Sequence, residues 1–195
     1  MEKNNKVLPA NNEMPSLVFF KKIFIYFWIT SLLGHYLEVV WIYIMHVTVD
    51  ATLWKTTIPT ITPLAAPYGF GMVAVILLVI PLIEKYKLHP LSVFVLNALV
   101  TGVIEYLCAL VLVIATGRNR YWDYSNEFLN INGYVCLKSA ILFGIGATLF
   151  VYFIYPMLDK IVSGLRKKQF NAVFWLLFGS YSIDLSILLA SGRFF

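Results

Sequence analysis

Three carboxylates sit inside long apolar runs: Glu38, Glu105 and Asp184. A charged group in hydrocarbon costs from ~2.5 kcal/mol on insertion scales to far more on an isolated helix, so each is first read as a functional residue. His35 precedes Glu38 by three positions, which puts both on one helical face. A neighbouring carboxylate can move a histidine across physiological pH, so the two form a candidate proton-responsive pair. The competing reading makes His35 an interhelical hydrogen-bond donor and each acid a neutral group satisfied by a Tyr, a Ser or a backbone carbonyl. A second constellation is the polar stretch Arg118-Asn119-Arg120-Tyr121-Trp122-Asp123-Tyr124-Ser125-Asn126, followed by Asn130-Ile131-Asn132-Gly133. Its aromatics, Asp and Asn supply stacking faces and convergent hydrogen bonds for a small molecule, or else an interfacial belt followed by turn-forming residues.

These residues need a scaffold, and composition identifies it. Of 195 residues, 60% are hydrophobic, 16% aromatic and only 13% charged, too apolar for a water-soluble domain. Helices of about 20 apolar residues cross a hydrocarbon core of roughly 30 Å. Five stretches qualify, near 18–46, 68–83, 91–115, 137–154 and 172–189. The expected fold is therefore all-α, a polytopic membrane helical bundle of five spans behind a polar tail over 1–16. The first apolar run is too long for a signal-peptide core and lacks an A-x-A-like site, so it is read as a retained helix.

Lysines and arginines set the orientation. Lys3, Lys6, Lys21, Lys22, Lys85, Lys87, Lys160, Arg166, Lys167 and Lys168 fall on one side, against Lys55, Arg118, Arg120, Lys138 and Arg193 on the other. The N-terminus is expected in the cytoplasm and the C-terminus outside, with both long connections, 47–67 and 116–136, facing outward. All three acid-bearing helices then run outward, and the acids fall at comparable depth in the outer half of the bilayer. A faint repeat pairs Gly34-His35-Tyr36-Leu37-Glu38 with Gly102-Val103-Ile104-Glu105, which implies two parallel hairpins of a kind known in transporters. The segment Thr62 to Gly71 holds helix-breaking prolines and permissive glycines, and irregular backbone at such depth must line a cavity or be buried in protein.

Several activities are excluded or unsupported. The net charge of +5 is spread by topology, and no soluble basic segment interleaved with aromatics suggests nucleic acid. No P-loop, H-E-x-x-H, G-x-S-x-G or zinc-type spacing occurs, so no metal or cofactor is expected. Cys108 and Cys136 do not indicate a disulfide. Any nucleotide-driven work requires a separate ATPase subunit.

The motifs as a set resemble the bacterial family of ABC-transporter type IV (CmpB-like) membrane proteins. The resemblance runs through Gly34 to Glu38, Pro63, Tyr68-Gly69-Phe70-Gly71, Glu105-Tyr106-Leu107, Trp122-Asp123-Tyr124-Ser125, Asn130 to Gly133, Cys136-Leu137, Phe143-Gly144 and Pro156, about Phe24 to Pro156 in all. It implies weight on Glu38, Glu105, Trp122, Asp123, Asn130 and Asn132 as site residues. It also marks departures: Thr57-Ile58-Pro59 stands where R-G-F is usual, Tyr134 stands for an Arg, and Val113 stands for a second Glu.

The reading that joins these features is a transport component in a bacterial plasma membrane, a small permease or substrate-binding subunit. Its outward-facing polar cavity would take a cation, a proton or a small polar solute. The expected site is Glu38, Glu105, Asp184, His35, Trp122, Asp123, Tyr124, Asn130, Asn132 and Tyr68. The lipid bilayer, a separate ATPase or other membrane subunit, and a homo-oligomer are the expected partners. Two other readings stay open: a membrane-embedded enzyme acting on a lipid or lipid-linked substrate at the outer leaflet, with His35 or a Glu as general base and Asp123 as its partner, and a non-catalytic scaffold in which the acids only lock helices together.

Overall fold

In a computed structural model of the chain, residues 15–45, 64–117, 119 and 122–190 are described. The basic N-terminal tail residues Lys3 and Lys6, most of the first outer connection with Lys55, Thr57-Ile58-Pro59 and Thr62-Pro63, the loop residues Arg118, Arg120 and Tyr121, and Arg193 lie outside the described residues. Five helices among the described residues are long and apolar enough to cross a membrane: α1 (Pro15–Met45), α2 (Ala66–Tyr86), α3 (Pro90–Thr116), α4 (Leu137–Gly164) and α5 (Lys167–Ala190).

The fourth span is longer than its sequence suggested, because Pro156 does not end it. A proline lacks the N–H that would bond four residues back and crowds the carbonyl there. Here a π-helical turn, Phe150–Ile154, ends two residues before the proline, with the Tyr155 N–H bonded to the Phe150 carbonyl. Pro81 in α2 is handled identically: the Ile80 N–H bonds to the Val75 carbonyl at the end of a π-helical turn over Val75–Val79. The widened turn absorbs the displaced carbonyl, so the helix runs on.

This shared device belongs to a wider match. Tyr68-Gly69-Phe70-Gly71, Pro81 and Glu84-Lys85 of α2 align at one constant spacing with Phe143-Gly144-Ile145-Gly146, Pro156 and Asp159-Lys160 of α4. The packing gives the matching register for α1 and α3. A methyl group on Gly69 would strike Ser31 and Phe27 of α1, and one on Gly144 would strike Ala98 and Phe94 of α3. Phe27 and Ser31 thus correspond to Phe94 and Ala98, and at that spacing Glu38 falls on Glu105. The two hairpins are real, but Gly34 corresponds to Thr101 and not to Gly102: the glycine in the sequence pattern misled the alignment by one position.

The glycines of α2 also correct an expectation about backbone. Tyr68 to Gly71 are helical, and among the described residues Leu64 and Ala65 precede the helix irregularly, with the Ala65 N–H bonded to the Ser31 carbonyl at 3.1 Å. Gly69 is there for close approach of two helices, not for a broken chain. α5 joins the bundle through α1, with Phe174, Phe178 and Tyr181 packed on Phe20, Phe24 and Phe27. Around these contacts lies a core of Ile25, Val75, Val79, Val93, Phe150 and Leu177. At the end where α1 begins, Tyr26 and Lys22 both reach Oδ1 of Asp159 on α4 at 2.6 Å.

Candidate functional site

Glu105 is the best-defined buried acid. It lies on the face of α3 that carries Thr101 one turn and Asn97 two turns earlier, and all three are buried. Its Oε1 accepts from the Tyr124 hydroxyl at 3.1 Å and its Oε2 from the Ser139 hydroxyl at 2.9 Å. Ser139 is fixed by a capping box at the start of α4, where its N–H bonds to Cys136 Sγ at 3.3 Å and its Oγ accepts from the Cys136 N–H at 3.1 Å. Cys136 is thus a helix cap. Ser139 is a site residue that the sequence reading missed, although its position three after Cys136 is the capping-box spacing.

Tyr68, near the start of α2, packs on both α4 and α1. Its ring packs edge-on against Phe143 at 5.4 Å, against Gly34 where a methyl would not fit, and it lies within electrostatic reach of both Glu38 and Glu105. Tyr68, Thr101, Glu105, Gly71 and Phe143 enclose a cavity of about 20 Å³, room for one water molecule. Glu38 is half-buried, and His35 packs edge-on against Tyr36 at 5.6 Å. Asp184 is buried, three residues past the Tyr181 ring that packs on Phe24 and Phe27. That register sets it level with Thr30, about 12 Å short of Glu38 along the bundle, at about 1.5 Å per residue. Tyr68 thus has Glu38 and Glu105 within electrostatic reach, while Asp184 lies lower, beside α1.

The loop between α3 and α4 folds over this end of the bundle by its own hydrogen bonds. Asn130 donates to the carbonyls of Ser125 (3.1 Å) and Glu127 (3.0 Å) and accepts from the Gly133 N–H (3.1 Å). It braces the loop. Gly133 has φ 71°, and a methyl there would meet Ser125 Oγ and Asp123 Oδ1. Asn132, itself at φ 55°, donates to the Tyr106 hydroxyl at 2.8 Å and so ties the loop to α3. Trp122 Nε1 donates to the Tyr134 carbonyl at 2.9 Å.

Between this loop and the end of α3 lies a larger cavity of about 260 Å³, lined in part by Val113, Trp122, Asp123, Asn132 and Tyr134. Asp123 is exposed and accepts from the Ser125 hydroxyl at 2.5 Å and its N–H at 2.9 Å, which hold its carboxyl below the ordinary carboxylate range. Tyr124, half-buried and bonded to Glu105, has its phenol pushed well above the ordinary value, first by burial and then by that carboxylate. Val113 and Tyr134, the positions where the resemblance implies a Glu and an Arg, line this one cavity. Both departures therefore change a single chamber.

Five membrane-length helices, two of them ending a duplicated hairpin motif beneath a structured polar loop, define a polytopic membrane protein of the transport-related class. The chain belongs to the family described as "Putative ABC-transporter type IV", whose profile matches residues 25–189. The match reaches past the four helices that carry the motifs and takes in most of α5. No curated protein and no solved structure matches the chain.

Proposed function

We propose that the chain is the solute-binding membrane subunit of a transport system, and that a small cationic or amine-bearing solute is taken into the 260 Å³ cavity between the outer loop and α3. The observation that carries this reading is the lining. Trp122 and Tyr134 offer aromatic faces that attract a cation, Asn132 offers a hydrogen bond, and Asp123 is the charged group among the described lining residues, kept ionised by Ser125. The volume suits a solute of a few heavy atoms better than a drug-sized ligand. Tyr124 of the same loop hydrogen-bonds to Glu105. The lysine and arginine bias supports an external position for the loop, in a bacterial plasma membrane, and the lack of a nucleotide-binding motif assigns energy coupling to a separate ATPase subunit.

The test is thermal denaturation of the purified protein in detergent against methylammonium, choline, sodium and potassium. At least one cation is expected to raise Tm in a saturable way, as binding to the folded state requires, and Asp123→Asn is expected to remove the rise while leaving the ligand-free Tm in place. No saturable rise with any of the four, or an equal rise in Asp123→Asn, overturns the reading.

A further inference from the structure

Hydrogen bonds within the protein leave the cavity between the α3–α4 loop and the end of α3 with acceptors to offer. Trp122, Ser125 and Asn132 line it, and each of their side-chain donor groups is already engaged. Trp122 Nε1 donates to the Tyr134 carbonyl, the Ser125 hydroxyl to Asp123 Oδ1, and Asn132 Nδ2 to the Tyr106 hydroxyl at 2.8 Å. The Gly133 N–H is held by Asn130. The acceptors are treated differently. Both bonds to Asp123 arrive at Oδ1, from the Ser125 hydroxyl and N–H, which leaves Oδ2 for another partner. Asn132, with its nitrogen on Tyr106, keeps its amide oxygen for another partner too.

The two acceptors belong to one corner of the cavity. Gly133 follows Asn132 in the left-handed conformation at φ 71°, and a methyl there would lie 2.9 Å from Asp123 Oδ1 and 2.5 Å from Ser125 Oγ. The Asp123 carboxyl is thus seated against the backbone next to Asn132. Tyr106 lies behind this corner. It is not itself part of the lining, yet it holds two residues that are: its hydroxyl accepts from Asn132, and its ring packs on that of Tyr134 at 5.5 Å. Aromatic faces attract any organic cation, quaternary ammonium included. Oxygen acceptors favour only a cation that brings N–H groups to them.

We propose that the cavity selects primary ammonium groups over quaternary ammonium, and that Tyr106 is the positioning residue behind this preference, turning the Asn132 amide oxygen toward the solute. The ammonium donates one N–H to Asp123 Oδ2 and a second to Asn132 Oδ1, with its carbon substituent against Trp122 or Tyr134. A quaternary cation brings the same charge to the same rings but leaves both oxygens without a donor. An acceptor that gives up its water and gains no partner weakens binding, and this is how a polar site rejects a ligand that lacks the matching group. The proposal rests on the cavity being the solute site, and adds to that reading the chemical class of the solute and a residue outside the cavity wall. At about 260 Å³ the cavity has room for either kind of cation, so hydrogen bonding and not size sets the preference.

The test titrates the purified protein, in one detergent at fixed ionic strength, with methylammonium, tetramethylammonium and tert-butylammonium chloride, and takes each Kd from the saturable rise in Tm. Methylammonium is expected to bind at least about tenfold more tightly than tetramethylammonium, the worth of one hydrogen bond to a charged group. Because tert-butylammonium is as bulky as the quaternary ion but keeps its N–H groups, it is expected to side with methylammonium. Tyr106→Phe keeps the ring against Tyr134 and is expected to cut the preference to below about threefold. Asn132→Gly, which suits the left-handed backbone, is expected to do the same, and the double variant to lose no more than either, since the hydroxyl acts through the amide. If the variants do not fold, the three cations on the unmutated protein still decide the selectivity. Tetramethylammonium binding as tightly as methylammonium, or exclusion of tert-butylammonium along with it, overturns the proposal and leaves the solute reading standing. An unmoved preference in Tyr106→Phe overturns the role of Tyr106. No saturable binding of any of the three overturns the proposal, and if choline, sodium and potassium also fail to bind, the solute reading falls with it.

Discussion

The Tyr124 hydroxyl donates to Glu105 across 3.1 Å and so fastens the loop between α3 and α4 to a carboxylate within the bundle. This bond has two ends of unequal value. For Glu105, Tyr124 is one of two donors. For the loop, it is the link to α3 nearest the bundle interior, the other being Asn132 to Tyr106.

Tyr124→Phe keeps the ring and removes the donor. Hydrogen bonds to charged groups contribute about 1.5–3 kcal/mol, so a loss of roughly that size is expected in denaturation experiments. Hydrogen exchange is expected to rise across residues 122–136 more than in α3. Unchanged exchange in that loop would show that its internal bonds, centred on Asn130, hold it without Glu105.

Two glycines two positions apart on α4 separate packing from propensity. A methyl on Gly144 would lie 2.8 Å from the Ala98 Cβ and 3.2 Å from its Cα, and the backbone cannot move aside cheaply, whereas Gly146 has nothing within 4 Å. Gly144→Ala is expected to cost about 1–3 kcal/mol by overpacking the α3 to α4 contact. Gly146→Ala is expected to be neutral or to stabilise by up to about 1 kcal/mol. Paired Tm measurements in one detergent decide it.

Hydrophobic run length located all five helices, because a bilayer imposes one length on every span, but it placed their ends poorly. The ends of α2 and α4 depend on how a proline is accommodated, and the π-helical turns before Pro81 and Pro156 leave no composition signal. Glu105, Tyr124 and Trp122 were legible as unusual residues in unusual places. What sequence could not supply was facing. Asp184 seemed level with the other two acids by counting from helix starts, yet its helix packs lower on α1, a register fixed by aromatic contacts between residues distant in sequence. The repeat was visible but misaligned, since identical glycines attract the eye more than the packing partners that define equivalence.

Asp123 should bind without a pH switch in the working range. Its folded-state value lies below the ordinary carboxylate value because the Ser125 hydroxyl and N–H favour the ionised form. A depressed group keeps its contribution above the ordinary value and loses it only as pH falls through the depressed one. Cation binding at the outer cavity is therefore expected to be flat from pH 8 to about pH 5, on the usual carboxylate scale. Ser125→Ala should bring its loss to higher pH. Binding isotherms at several pH values measure both, and a fall centred near neutral pH would assign the charge to another group.

The clasp at the far end tests which partner of Asp159 matters. Tyr26 is almost fully buried, and its hydroxyl donates to Oδ1 at 2.6 Å; Lys22 reaches the same atom at 2.6 Å, but both members of that ion pair are about a third exposed. Solvent screening limits an exposed pair to about 0.2–1 kcal/mol, whereas a buried hydroxyl without an acceptor costs about 1–3 kcal/mol. Asp159→Ala is thus expected to destabilise well beyond Lys22→Ala, and Tyr26→Phe to remove most of the difference when combined with Asp159→Ala. High salt should weaken the Lys22 contribution alone. If Lys22→Ala matches Asp159→Ala in Tm loss, the ion pair and not the tyrosine fastens α1 to α4.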